Sequence, residues 1–258
     1  MSKVKDIVKI IEDFAPLNLA YPWDNSGLIT GNMEKEVKKV YITLDMFKFN
    51  IDEAIEKGVD MIISHHPILF NSIKKVDYET TDGYILTKLI KNDIALYAAH
   101  TSMDCADGGI NDILAQRLGL IETEIIEKSE TEGCGLGRIG NLRKELTLEE
   151  YCKEVKEKLN TPFVRVSGDM NKKISRVAVG GGACDDLIPM AKKMGAQLMV
   201  TADMKYHITA DSVEGGICII DAGHYPTEVF VIEIFENLLK SAEVEIFKST
   251  HKDIFKSV

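Results

Sequence analysis

Two histidines stand side by side, His65 and His66, directly after the apolar run Met61-Ile62-Ile63-Ser64 and directly before Pro67. A proline forces the residue before it into an extended or turning backbone, so the pair sits where a strand gives way to a loop. Adjacent residues of an extended chain point to opposite sides, which suits two different metal ions better than one. Farther on, His100 and Asp104 are four residues apart, and so are His224 and Glu228. On a helical turn each pair shares one face. An imidazole beside a carboxylate makes a neutral-to-anionic site for zinc, manganese, iron, cobalt or nickel, and a carboxylate can also bridge two ions. The five cysteines, Cys105, Cys134, Cys152, Cys184 and Cys218, are scattered singly without a C-x-x-C pair. That pattern points away from disulfides and thiolate zinc sites and fits a reducing, cytoplasmic setting with core-filling thiols. Cys105, next to Asp104, is the one thiol beside the candidate chemistry.

Such residues need elements to hold them. Five of the six histidines follow a predicted strand within six residues, which is where open α/β sheets bind ligands. Apolar spacing predicts a first helix over 3–14, then a loop or short hairpin over 15–32. Strand, helix and strand follow at 40–44, 51–57 and 61–64, and then a helix, strand and helix at 83–91, 94–99 and 111–118. The second half restarts at 135–142, with a helix at 148–159 and strands at 163–166, 176–179, 198–201 and 217–221. Helices at 187–193, 206–213 and 227–240 are interleaved with them. Val40-Tyr41-Ile42 aligns with Val177-Ala178-Val179, and the same offset carries Met61-Ile62-Ile63-Ser64 onto Leu198-Met199-Val200-Thr201. With one residue of slippage, both halves read strand, helix, strand, helix, strand, His-x-x-x-carboxylate. The expected class is α/β, with pseudo-duplicated strand-helix units in two lobes. Residues 1–128 carry His65, His66, His100 and Asp104; residues 129–258 carry His207, His224 and Glu228, and the C-terminal segment can pack back on the first lobe.

Composition narrows the classes of function. With 258 residues, 45% of them hydrophobic and 28% charged, the chain has ample core for one large or two modest domains. A formal net charge of -10 and basic clusters no longer than pairs argue against a general grip on nucleic acid. No apolar run reaches the roughly 18 residues that a membrane span requires. Gly180-Gly181-Gly182 follows a strand and opens a helix but lacks the lysine of a nucleotide-phosphate loop, so a tight turn is expected and no organic cofactor is implied. Trp23-Asp24-Asn25-Ser26-Gly27-Leu28 carries the only tryptophan and reads as a lid or a packing turn. His207 is either a proton-transfer group beside the metals or a helix-start residue bonding its neighbours. Asp203 and Lys205 read as local pairing or capping groups, and His251 as a surface residue of the charged tail.

Taken together, Trp23 to Leu28, Ile63-Ser64-His65-His66-Pro67 and His100-Thr101-Ser102-Met103-Asp104 resemble the Nif-three-like dinuclear-metal family, whose members carry the name GTP cyclohydrolase type 2 homologs. Gly109-Ile110-Asn111-Asp112, Gly137-Arg138-Ile139-Gly140 and Gly223-His224-Tyr225-Pro226-Thr227-Glu228 extend the match, in order, across almost the whole chain. The resemblance implies two linked α/β lobes, a ring-shaped homohexamer and a two-metal site in a cleft between the lobes. It implies His65, His66, Asp104, His224 and Glu228 as ligands of two divalent ions, with His100 close by. Ala202 replaces the glycine usual in the stretch that leads to His207, and the short 120–134 connection leaves no room for the extra domain of longer members. The chemistry that follows is metal-dependent hydrolysis by an activated water on a nucleotide-like, cyclic amide or phosphoester substrate, with His100 or His207 moving the proton. The alternative is a non-catalytic metal-handling or regulatory protein.

Overall fold

Strand and helix alternate along residues 2–256, the part of the chain that the computed structural model describes. The order begins β1 (Ser2–Lys3), α1 (Val4–Phe14), β2 (Gly27–Thr30), β3 (Glu36–Val37), β4 (Lys39–Thr43) and α2 (Lys48–Lys57). Then come β5 (Met61–Ser64), α3 (Thr81–Lys91), β6 (Ala95–Ala98), α4 (Thr101–Cys105), α5 (Ile110–Arg117), β7 (Leu120–Lys128) and β8 (Gly135–Thr147). Next are α6 (Leu148–Lys158), β9 (Arg165–Ser167), β10 (Lys173–Val179), α7 (Ile188–Lys193), β11 (Leu198–Thr201) and α8 (Tyr206–Glu214). The chain ends with β12 (Cys218–Asp221), α9 (His224–Glu228), α10 (Val231–Leu238) and β13 (Glu245–Lys248).

Two compact units result: residues 2–103 with Val231–Lys252, and Asp104–Phe230 with residues 253–256. The boundary expected near residue 128 therefore moves back into α4. The reason is pairing. β7 bonds antiparallel to β8 within the second unit, while β13 returns to the first unit and pairs parallel with β4.

The first unit is built on a five-stranded sheet in the order β13-β4-β5-β6-β2. β4, β5 and β6 run parallel, and Met61, Ile62, Ile63 and Ser64 of β5 are all buried, as a central strand covered on both faces requires. Tyr41, Ile62 and Leu96 pack with Ile51 and Ala54 of α2 and with Ile85 and Leu89 of α3. Residue Gly58 ends α2 with φ 63, a left-handed cap open to glycine at no steric cost. Three adjacent parallel strands consequently deliver their C-terminal ends to one rim, and Asp45, His65-His66 and His100 follow those ends.

The second unit repeats the scheme in a six-stranded sheet, β7-β8-β10-β11-β12-β9, whose middle three strands are parallel. Here Ala178, Met199 and Ile219 pack against Leu187, Ile188 and Ala191. The C-terminal ends of β10, β11 and β12 lead into Gly180-Gly181-Gly182, Asp203 and His224. Both units thus run strand, helix, strand, helix, strand, short helix, and the strand ends at 64 and 201 fall where the duplication places them. Three expectations change. The 15–32 segment contains the edge strand β2, the 120–134 connection is mostly β7, and the helix expected over 227–240 divides into α9 and α10.

Candidate metal centre

In the first unit, His65, His66 and His100 bring their rings together. Centroids lie 4.8 Å apart for His65 and His66, 5.2 Å for His65 and His100, and 5.5 Å for His66 and His100. Extended-chain alternation would have sent His65 and His66 apart. The chain instead leaves the strand at Ser64, whose hydroxyl donates to the His66 carbonyl at 2.8 Å, and the two rings stay on one side.

Each ring is held through Nδ1. The Ala99 carbonyl lies 2.8 Å from His65 Nδ1, Asp45 Oδ1 lies 2.7 Å from His66 Nδ1, and Asp24 Oδ1 lies 2.7 Å from His100 Nδ1. A carbonyl can only accept, so His65 carries its proton on Nδ1 and, when neutral, has its acceptor lone pair on Nε2. The carboxylates impose the same tautomer on His66 and His100. This is the outer arrangement that orients imidazoles toward a metal. One ligand-capable atom from each of the three residues falls within 4.8 Å of the others. The donor set fits a divalent ion.

Asp24 is fixed as firmly as the ring it holds. Its side chain is buried and also accepts from Ser26 Oγ at 2.7 Å, Thr101 Oγ1 at 2.6 Å and Thr101 N–H at 3.1 Å. Burial works against its charge, but the hydrogen bond and charge of His100, with Ser26 and Thr101, outweigh it and hold the carboxyl far below the usual range.

In the second unit, α9 places His224 and Glu228 one turn apart, with Nε2 2.9 Å from Oε2. Asp203 Oδ2 takes His224 Nδ1 at 2.6 Å, from a residue in left-handed backbone at φ 55. The Asp104 and Glu228 carboxylates, both buried, offer oxygens within 4.8 Å of each other. Two buried carboxylates at that spacing repel, and a divalent cation offsets them directly. The glycine triplet makes the room. Gly182 has φ +61, and a Cβ there would stand 2.2 Å from Glu228 Oε1 and 3.0 Å from His224 Nε2. Its amide donates to Thr227 Oγ1 and that of Gly181 to Asn111 Oδ1, so this turn packs against α9 and α5 rather than cradling phosphate.

His207 is exposed on the first turn of α8, edge-on to Tyr206 at 5.3 Å, and it joins none of the ligand groups among the described residues. His251 is not a surface residue. Its side chain is 11% exposed and packs on Phe47 and Phe49 at 4.9 and 5.4 Å, with Nε2 4.0 Å from Asp45 Oδ2. All five cysteines are free and buried. Burial, with the Asp104 charge, pushes the Cys105 thiol up to about 12. Sequence reasoning missed Asp45, placed Asp24 only in a lid or packing turn and read Asp203 only as a local pairing or capping group, whereas each holds a histidine Nδ1. Their signal was position, since Asp45 and Asp203 each lie two residues beyond a parallel strand.

An α/β scaffold that gathers histidines and carboxylates at parallel strand ends defines a class of candidate metal-binding proteins. Within that class, the family described as Duf34/NIF3 (NGG1p interacting factor 3) matches residues 2–254, and the chain belongs to it. A Clostridium perfringens protein named GTP cyclohydrolase 1 type 2 homolog is 40% identical over 227 residues, covering 88% of this chain and 87% of the relative. A Clostridium acetobutylicum protein of the same name is 40% identical over 242 residues, covering 93% and 90%. The crystal structure of a Bacillus cereus protein related to NIF3 matches with a TM-score of 0.92 at 28% identity, covering 100% of this chain and 99% of that one. Among the described residues, no helix is long and apolar enough to cross a membrane.

Proposed function

We propose that this chain binds two divalent metal ions through His65, His66, Asp104, His224 and Glu228, and that it is a metal-dependent hydrolase. The observation that carries the reading is the His65, His66 and His100 cluster, in which an acceptor occupies each Nδ1 and one ligand-capable atom of each ring falls within 4.8 Å of the others. Bound there, such ions supply Lewis acidity and bring the pKa of a coordinated water toward neutrality.

The chain's own residues do the rest. His65 and His66 present lone pairs in fixed tautomers, and Asp104, His224 and Glu228 add negative charge and a further nitrogen. Asp24 holds the proton of His100 on Nδ1, so Nε2 is the basic atom and His100 is the member of the cluster that carries the proton. His207, exposed on α8, is the weaker candidate for that role. The relatives' name makes guanine nucleotides the first substrates to test, with cyclic amides and phosphoesters beside them. A cytoplasmic homohexamer completes the proposal.

The test has two arms. Elemental analysis of reconstituted protein should give two ions per chain, and turnover of one substrate class should depend on them. Loss of neither ion in His65→Ala and His66→Ala overturns the ligand assignment. Full metal binding with inactivity on every substrate class removes the hydrolase and leaves metal handling.

A further inference from the structure

The loop carrying the only tryptophan is built into the structure residue by residue, with one exception. Asp24 orients His100 and accepts from Thr101. The Asn25 amide donates to the carbonyls of Ile68 and Leu69 at 3.3 and 3.1 Å, tying down the segment that ends in Phe70. Leu69 turns that segment through left-handed backbone at φ 59. Ser26 Oγ donates to Asp24 and accepts the His100 amide at 3.1 Å, and the Tyr21 amide donates to Thr101 Oγ1 at 3.0 Å. Trp23 is the exception. The residue is 57% exposed, and Phe70 is 49% exposed.

These two open rings stand against the metal-ligating cluster. Trp23 and Phe70 are 5.8 Å apart at 53°, and both meet His100 edge-on at 6.3 Å. Tyr21 stacks on Trp23 at 5.5 Å and 17°, which fixes the indole plane. A packing turn would bury the largest apolar side chain it owns; this loop spends its polar groups on holding that side chain in the open beside the His100 ring.

We propose that Trp23 and Phe70 form a recognition wall for a ligand carrying a planar aromatic ring. The wall seats that ring next to His65, His66 and His100. An indole face and a tilted phenyl make an aromatic corner, which favours a flat, polarisable ring by offset and edge-to-face contact over a sugar or an aliphatic chain. The inference deepens the metal-site reading and rests on it.

The experiment uses full-length, zinc-loaded protein. Because Trp23 is the only tryptophan, its emission reports directly on the wall. Guanosine, adenosine and pterin serve as planar probes and ribose 5-phosphate as the non-planar control, with calorimetry in parallel. At least one planar probe should quench Trp23 saturably, and ribose 5-phosphate should not. Trp23→Ala and Phe70→Ala should each weaken that probe by roughly 5–150-fold, the range for a lost base–aromatic stack. Trp23→Phe should restore most of the affinity, and zinc content should stay at the wild-type value in all three variants. The wall is wrong if no planar probe binds the zinc-loaded protein, if ribose 5-phosphate binds equally well, or if both alanine variants bind as wild type. It is also wrong if Trp23→Ala changes only the assembly size in light scattering, since the rings then belong to an interface between copies. Failure of wild-type protein to take up zinc is a different result and strikes the metal reading itself.

Discussion

Four histidines here have their Nδ1 atoms taken, three of them by aspartates that no spacing rule picks out. Asp24, Asp45 and Asp203 lie 76, 21 and 21 residues from the rings they hold. Histidine pairs are legible in a sequence because neighbours on one turn or strand end are local. Their carboxylate partners arrive through sheet topology and stay hidden until the strands are ordered. Asp45→Asn and Asp203→Asn should each lower metal affinity by roughly 10–100-fold while leaving the fold intact; calorimetry with circular dichroism checks both halves of that statement. Gly182→Ala should behave differently, because the new methyl meets the Glu228 carboxylate at 2.2 Å and the backbone is left-handed there. A cost of about 1–3 kcal/mol from the backbone alone, visible in a urea melt, should accompany reduced metal content. Cys152 gives a pH test away from the ligands. Burial raises its thiol from 9.0 to about 11, so the folded state keeps the proton that the unfolded chain gives up first. Its contribution to stability is complete below pH 9 and is lost as the pH climbs toward about 11. The urea midpoint should fall over that window, and fall less in Cys152→Ala.

Elements divide by how plainly their periodicity speaks. β5 and β11 are continuous apolar runs buried on both faces, and their predicted limits match the observed ones residue for residue. β7 defeated the reading because its pairing with β8 shifts register between Ile121 and Glu124, and Glu122 has φ 52, which breaks the alternation of faces. β13 is a short edge strand with charged ends, Glu245 and Lys248, and so passes for tail. Yet it matters to the site. Pairing with β4 brings Ser249 under the Asn50 amide at 2.8 Å and lays His251 on Phe47 and Phe49, where it backs Asp45. A chain truncated after Val244 should therefore lose stability, and His251→Ala should weaken metal binding several-fold, less than the roughly 10–100-fold expected of a direct outer partner such as Asp45. Calorimetric affinity equal to wild type in His251→Ala would reduce His251 to a packing role.

For the whole molecule, the duplicated plan gives each unit its own group of candidate donors: three imidazoles in one, two carboxylates and an imidazole in the other. Metal binding then couples to global stability, because an ion that binds only the folded chain adds about 2.7 kcal/mol at one hundred times its dissociation constant. For a chain of this size that is roughly 5–10 °C of thermal midpoint per ion. Zinc should raise the midpoint of stripped protein and a chelator should reverse the rise. The sharper measurement takes one variant from each half, His65→Ala and Glu228→Gln, with Asp112→Asn as a control whose carboxylate pairs with Arg138 instead. Glu228→Gln keeps the side-chain shape and removes one charge, so a change in it reports electrostatics rather than packing. Two ions drawing on common ligands should be lost or weakened together in both variants, and most of the zinc-dependent rise should vanish with either substitution. Independent ions would divide the effect, with each variant keeping one ion and about half of the rise. That second outcome would leave two separate mononuclear sites and remove the paired-metal basis for hydrolysis.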